Sequence, residues 1–89
     1  FSYIQKLTMI VWDEPKRLTT LEKHGLDFAS LDETFFLNAR IIPAKANRYF
    51  AIGRLADNTV VVVFAYLGTE GLSVITMRRA NVKERRLVE

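Results

Sequence analysis

Val60-Val61-Val62-Val63-Phe64-Ala65-Tyr66 is the run on which the reading of the fold turns. Branched and aromatic side chains suit a pleated strand, and from Val60 to Phe64 both alternating faces are apolar. A strand of that kind belongs in the middle of a sheet covered on both sides. Turn residues bound the run, Ala56-Asp57-Asn58-Thr59 before it and Gly68-Thr69-Glu70-Gly71 after it. Tyr49 to Leu55 and Leu72 to Arg78 read as the strands beyond those turns, giving an antiparallel meander, and Arg40 to Pro43 reads as a strand ahead of them.

The first third has a different period. Leu7 to Trp12 suits a strand, after which Asp13 and Pro15 supply helix-start chemistry. Leu18 and Leu21 stand on one face of that helix, and Gly25 is placed to end it in a left-handed conformation. Asp27 is a cap for a second helix carrying Phe28, Leu31 and Phe35 as its apolar stripe, with Leu26 and Leu31 as a hydrophobic staple. A last helix starts at Asn81, where Glu84 three residues on completes a reciprocal cap. The expected architecture is α+β in a single domain over residues 1–89: strand, two helices, strand meander, C-terminal helix.

With 89 residues, about half of them apolar, the chain can build one core. It has no cysteine, so neither a disulfide framework nor a thiolate metal site is available. One histidine and scattered carboxylates offer no compact ligand set, and the four glycines read as turn or cap residues, not as a phosphate-cradling loop. No metal or cofactor is expected. No apolar stretch reaches the roughly 20 residues of a membrane span, and the start lacks a signal-peptide layout, so the cytoplasm is the default compartment. The net charge is +3, and Arg78, Arg79, Lys83, Arg85 and Arg86 crowd the C-terminal segment. That cluster is either a polyanion-binding surface or a solvated face.

Two signatures carry a resemblance. Trp12-Asp13-Glu14-Pro15-Lys16 leads to Lys23-His24-Gly25, and the closing run is Thr76-Met77-Arg78-Arg79-Ala80-Asn81-Val82-Lys83-Glu84-Arg85-Arg86. Together they resemble the BrnT family of bacterial toxins. The resemblance implies a RelE-like fold and a metal-independent endoribonuclease of a type II toxin-antitoxin system, cleaving RNA and blocking translation. It also implies a cognate BrnA-like antitoxin with a ribbon-helix-helix portion, through which alone the toxin would meet operator DNA. Arg48-Tyr49-Phe50-Ala51-Ile52-Gly53 resembles the family's arginine, aromatic and glycine strand. Ala46 and Asn47 stand where acidic residues are usual, and Val88 where a tyrosine is common. These departures support an alternative, a catalytically degenerate module that binds antitoxin or RNA without cleavage. A plain RNA-binding domain with no antitoxin is a third reading.

A metal-free ribonuclease needs a group to take the 2'-hydroxyl proton, cations for the charge on phosphorus and an acid for the leaving 5'-oxygen. The candidate catalytic residues are Arg48, Arg78, Glu84, Arg85 and His24, and the candidate RNA-binding residues are Lys23, Tyr49 and Arg79. Arg48 and Arg78, at strand ends, can grip phosphate oxygens, or project into water or pair with carboxylates. His24 is a proton carrier or a helix C-terminal cap. Glu84 is a base or the capping partner of Asn81; Arg85 matches the terminal motif, whereas Arg86 points elsewhere on the helix. Lys23 meets phosphate or lies exposed on its helix. In Arg48-Tyr49-Phe50 a ring is placed to stack on a nucleobase, or to pack in the core. Tyr66 is open to the same two readings.

Overall fold

The computed structural model of the chain describes residues 9–68 and 71–88. The apolar run lies in β4 (Asn58–Leu67), the central strand of five. β3 (Tyr49–Leu55) and β5 (Gly71–Arg79) flank it antiparallel, and β2 (Arg40–Pro43) extends β3. β1 (Met9–Trp12) completes the order β1-β5-β4-β3-β2 by pairing parallel with β5. A parallel neighbour requires a long crossover, and the whole helical and meander segment provides it. Of the expected turns and strands, Leu7, Thr8, Thr69 and Glu70 lie outside the described residues.

The register divides the sheet into two unequal faces. One carries Ile10, Trp12, Leu72, Val74, Met77, Val60, Val62, Phe64 and Ala51, packed against Leu26, Phe28, Leu31, Phe35 and Phe36. Edge-to-face rings run through this core: Phe35 on Phe36 at 5.1 Å, Phe36 on Phe64 at 5.4 Å, Phe64 on Tyr66 at 5.3 Å. Gly53 allows a close approach where α2 (Glu33–Asn38) crosses β3, because a Cβ there would stand 3.2 Å from both Ala39 Cβ and Phe35 Cε1, tighter than ordinary van der Waals contact. The other face has a small cluster, Ile52, Val61 and Ala80, with Ile42, Phe50 and Val88 partly covered. Val88 follows α3 (Val82–Arg86), whose capping box forms as expected: Glu84 N donates to Asn81 Oδ1, and Asn81 N to Glu84 Oε1, each at 2.9 Å.

The helical third departs from expectation in two ways. The second helix is broken into a 3₁₀ turn at Phe28–Ser30 and α2, with Leu31 extended between them. Two aspartates cause the break, because Asp27 accepts from Ala29 N and Asp32 from Phe35 N, so each starts its own turn. Leu26, Phe28, Leu31 and Phe35 are nevertheless all buried. In α1 (Glu14–His24) the side chains turned inward are Thr20 and Arg17, while Leu18 and Leu21 are exposed. α1 lies beside β5, not over the apolar core, and so has no use for a leucine stripe. Arg17 clamps its start to the next turn, donating to Glu14 Oε2 at 2.7 Å and Asp27 Oδ1 at 3.0 Å. Asp13 makes no side-chain cap bond, but Gly25 at φ 68° ends the helix as expected.

Candidate functional site

β1 pairs with β5 only as far as Trp12 opposite Val74, and α1 contacts β5 where the chain continues past that point. At this level β5 carries a bulge. Pairing with β4 steps from Val63–Thr76 to Phe64–Val74, which leaves Ile75 as the extra residue. Bulges bend a strand and re-aim its side chains. Here Thr76 meets Pro15, Lys16, Thr19, Thr20, Lys23 and His24 around an open cleft of about 320 Å³. Positions 16, 19, 20 and 23 recur at helical spacing, so α1 presents two ammonium groups and two hydroxyls along one side, with the imidazole at its end. An opening with that lining suits an anion.

Arg78 follows Thr76 by two positions on β5 and so shares its face. Its guanidinium is held as a fork, Nη1 donating to Glu84 Oε1 at 2.8 Å and Nη2 to Oε2 at 2.7 Å. Glu84 Oε1 also accepts the Asn81 amide of the capping box, so the last helix and the arginine share one carboxylate. The Arg78 hydrogen bonds hold Glu84 below the usual carboxylate range, and Glu84 in turn raises Arg78. Two further acids are lowered. Glu14, on the surface, falls to about 2 through its bonds from Arg17 and Trp12. Asp27 falls through the Ala29 amide and then Arg17.

Carboxylates with lowered folded-state values contribute stability that is complete above their ordinary pKa and is lost as the pH falls through the folded value. The domain should therefore keep its melting temperature down to about pH 4.5 and lose it progressively below. Glu84→Gln should lower melting at neutral pH and narrow its gap to the wild type in acid. Thermal unfolding followed by circular dichroism from pH 7 to pH 2 checks this; a constant gap would remove Glu84 from the acid response.

The remaining candidates are dispersed. Lys23 and His24 line the cleft. Arg85 Nη1 donates to Ala80 O at 3.3 Å, tying α3 to the strand end. Arg79 is exposed and alternates to the face opposite Arg78. Arg48 closes the turn after β2, its amide donating to Lys45 O, with Ala46 and Asn47 at positive φ within that turn. Tyr49 lies opposite Phe64, and Arg78 opposite Val61. Arg48 is thus about 14 Å from Arg78 along the strands, and two strands away across them. The structure does not bring these two arginines to one phosphate. Tyr49 belongs to the core face, stacked on Phe64 at 5.8 Å and edge-on to Tyr66 at 4.9 Å, whereas Phe50 faces the same side as Thr76 and Arg78.

Sequence reasoning missed Lys16, Thr19 and Thr76 as lining residues. The available signal was the seven-residue step from Lys16 to Lys23, two helical turns; nothing local announced the bulge that presents Thr76. Among the described residues, no three His, Cys, Asp or Glu side chains gather as a metal site would require.

Comparison with known proteins finds a family and a solved structure that each match most of the chain. No curated protein matches significantly. Residues 12–84 match the family described as the ribonuclease toxin BrnT of type II toxin-antitoxin systems. Among solved structures, the crystal structure of the Brucella abortus ribonuclease toxin BrnT is similar, with 51% identity and a TM-score of 0.77 over 82% of this chain and 96% of that one. The matched span starts at the tryptophan that opens the first signature and ends at the glutamate that holds Arg78, and with the shared mixed sheet it shows that this chain belongs to the BrnT family of ribonuclease toxins.

Proposed function

We propose that this toxin is a metal-independent endoribonuclease whose reacting phosphate sits in the cleft between α1 and β5. The observation that carries the reading is the convergence there of both signatures, Lys16, Lys23 and His24 from one and Thr76 with neighbouring Arg78 from the other. In this reading the 2'-hydroxyl attacks the adjacent phosphorus, its proton leaves to a base, and the 5'-oxygen departs with a proton, giving a 2',3'-cyclic phosphate. Lys16, Lys23 and Arg78 offset the charge that builds on the phosphate oxygens, work that a metal ion performs in other nucleases. His24 is the proton carrier at the cleft. Glu84, with both oxygens already engaged, is the positioning residue for Arg78. Arg48, Arg79, Arg85 and Tyr49 lie outside the cleft, and any RNA contact they make is with flanking nucleotides.

The partner is a cognate antitoxin of the BrnA type, carrying a ribbon-helix-helix portion that alone engages operator DNA. The complex works in the cytoplasm, and residues 1–89 act as one toxin domain. No described helix is long and apolar enough to cross a membrane. One observation favours the non-cleaving alternative: the engaged Glu84 leaves the cleft without a free carboxylate base from the closing signature. A single experiment separates the two. Expressed without antitoxin, the chain should arrest growth and deplete RNA, and the purified chain should cleave RNA equally with and without a chelator. Growth unaffected and RNA intact at several pH values would leave only the binding module.

A further inference from the structure

We propose that the open half of the sheet face beside the cleft is a nucleobase subsite for single-stranded RNA, with Phe50 as its stacking platform. The inference rests on the ribonuclease reading above and extends it from the phosphate to the base. Register puts Ile42, Phe50, Val63 and Thr76 in one transverse row, because Ile42 pairs with Phe50, Phe50 with Val63 and Val63 with Thr76. One end of the row is the cleft; moving inward, the floor is apolar. Phe50 lies two strand spacings from Thr76, about 10 Å, so a nucleotide whose phosphate occupies the cleft can lay its base over Val63 toward the ring.

The burial pattern fits a platform better than a core residue. Val60, Val62 and Phe64 on the opposite face are fully buried, while Ile42, Phe50 and Val63 on this one remain partly exposed. Phe50 packs against the Ile52, Val61 and Ala80 cluster and stays partly exposed. The adjacent row, Arg40, Ile52, Val61 and Arg78, has an arginine at each end. The floor is thereby bordered by guanidinium groups, Arg40 exposed at one end and Arg78, paired with Glu84, at the other, and guanidinium groups suit a groove that follows a phosphate chain. A paired base is already stacked and has no free face to offer, so the occupant is unpaired RNA. The floor offers an aromatic face and few polar groups, so its preference among bases should be modest and set by stacking strength.

The test uses a fluorescein-labelled, 2'-O-methylated RNA oligonucleotide, which binds without being cut, and a series of it with one abasic site at each position in turn. Fluorescence anisotropy should show that the wild-type chain loses affinity at one position of the series, by about tenfold, within the range stacked bases show. Phe50→Leu, which keeps apolar bulk without an aromatic face, should bind the intact oligonucleotide about tenfold more weakly and be insensitive to that position. Phe50→Trp should retain the sensitivity. The abasic series on the wild-type chain needs no substitution, so a poorly folding variant does not shield the proposal. Equal abasic profiles for wild type and Phe50→Leu would overturn it, as would a Phe50→Leu chain that keeps its RNA affinity and loses only antitoxin. Cleavage of unmodified RNA reads the catalytic assignment separately: a chain that passes the abasic test and cuts nothing keeps the subsite and loses the enzyme.

Discussion

Phe64→Ala should unfold this domain or leave it barely folded at room temperature. Phe64 is fully buried in the middle of β4, and its ring meets Phe36, Tyr49 and Tyr66. Truncating a buried phenylalanine to alanine costs about 3–5 kcal/mol, the sum of lost transfer energy and the cavity left behind. A domain of this length has a total stability of roughly 4–13 kcal/mol. The cavity has little chance to collapse, because the side chains around it belong to three strands and a helix whose spacing the sheet fixes. Urea denaturation should show the midpoint falling by a large fraction, with Phe64→Leu intermediate. Leu18→Ala is the contrast: that side chain is half exposed, and its loss should shift the midpoint little. If Phe64→Ala melts like Leu18→Ala, the aromatic core is not what holds the two layers together.

The contrast between Phe64 and Leu18 also explains how far the sequence could be read. Strand positions were legible because the apolar run at Val60 to Phe64 has one structural meaning and the turns on either side fix its antiparallel neighbours. α1 was legible as a helix but not in its orientation. Leu18 and Leu21 obey the helical period, yet the side of α1 turned toward β5 is polar because it lines a cleft. Periodicity locates a core face on the assumption that the apolar stripe is the buried one, and a helix beside a site breaks that assumption. The lining of the candidate cleft was half legible for a related reason. Lys23, His24 and Arg78 stand within motifs, but Thr76 enters the cleft through a bulge, and Arg48 leaves the company of Arg78 through strand register; both are long-range facts. Tyr49 and Phe50 show the same limit at single-residue scale. Adjacent residues on a strand face opposite ways, and only the pairing partners decide which of them meets the core.

Arg78→Ala should cost the most activity of any single change, about 10²–10³-fold in kcat, the loss typical of removing one preorganised donor from a developing oxyanion. The effect should fall on kcat more than on KM, because charge on the phosphate oxygens grows on the way to the transition state. Arg78→Lys should restore little, since an ammonium is a point charge and cannot reproduce a planar fork held by a carboxylate. Glu84 then separates two mechanisms. As a positioning residue, its replacement by glutamine loosens Arg78 without removing it, so Glu84→Gln should lose less than Arg78→Ala. Adding a Glu84 substitution to Arg78→Ala should then cost almost nothing more, because the carboxylate acts through the arginine. As the general base it would behave differently: Glu84→Gln would abolish the acidic limb of the pH–rate profile, and the double variant would be far worse than either single one. The fork geometry favours the first outcome, because a carboxylate that accepts two guanidinium bonds and a backbone amide is held ionised and has little basicity to offer a hydroxyl proton. Single-turnover cleavage across pH, with circular dichroism to confirm that each variant is folded at the assay temperature, distinguishes the two. The proton that Glu84 does not take must go elsewhere, and His24 is the imidazole at the edge of the cleft. Cleavage should accordingly survive Glu84→Gln in part and be lost in His24→Gln.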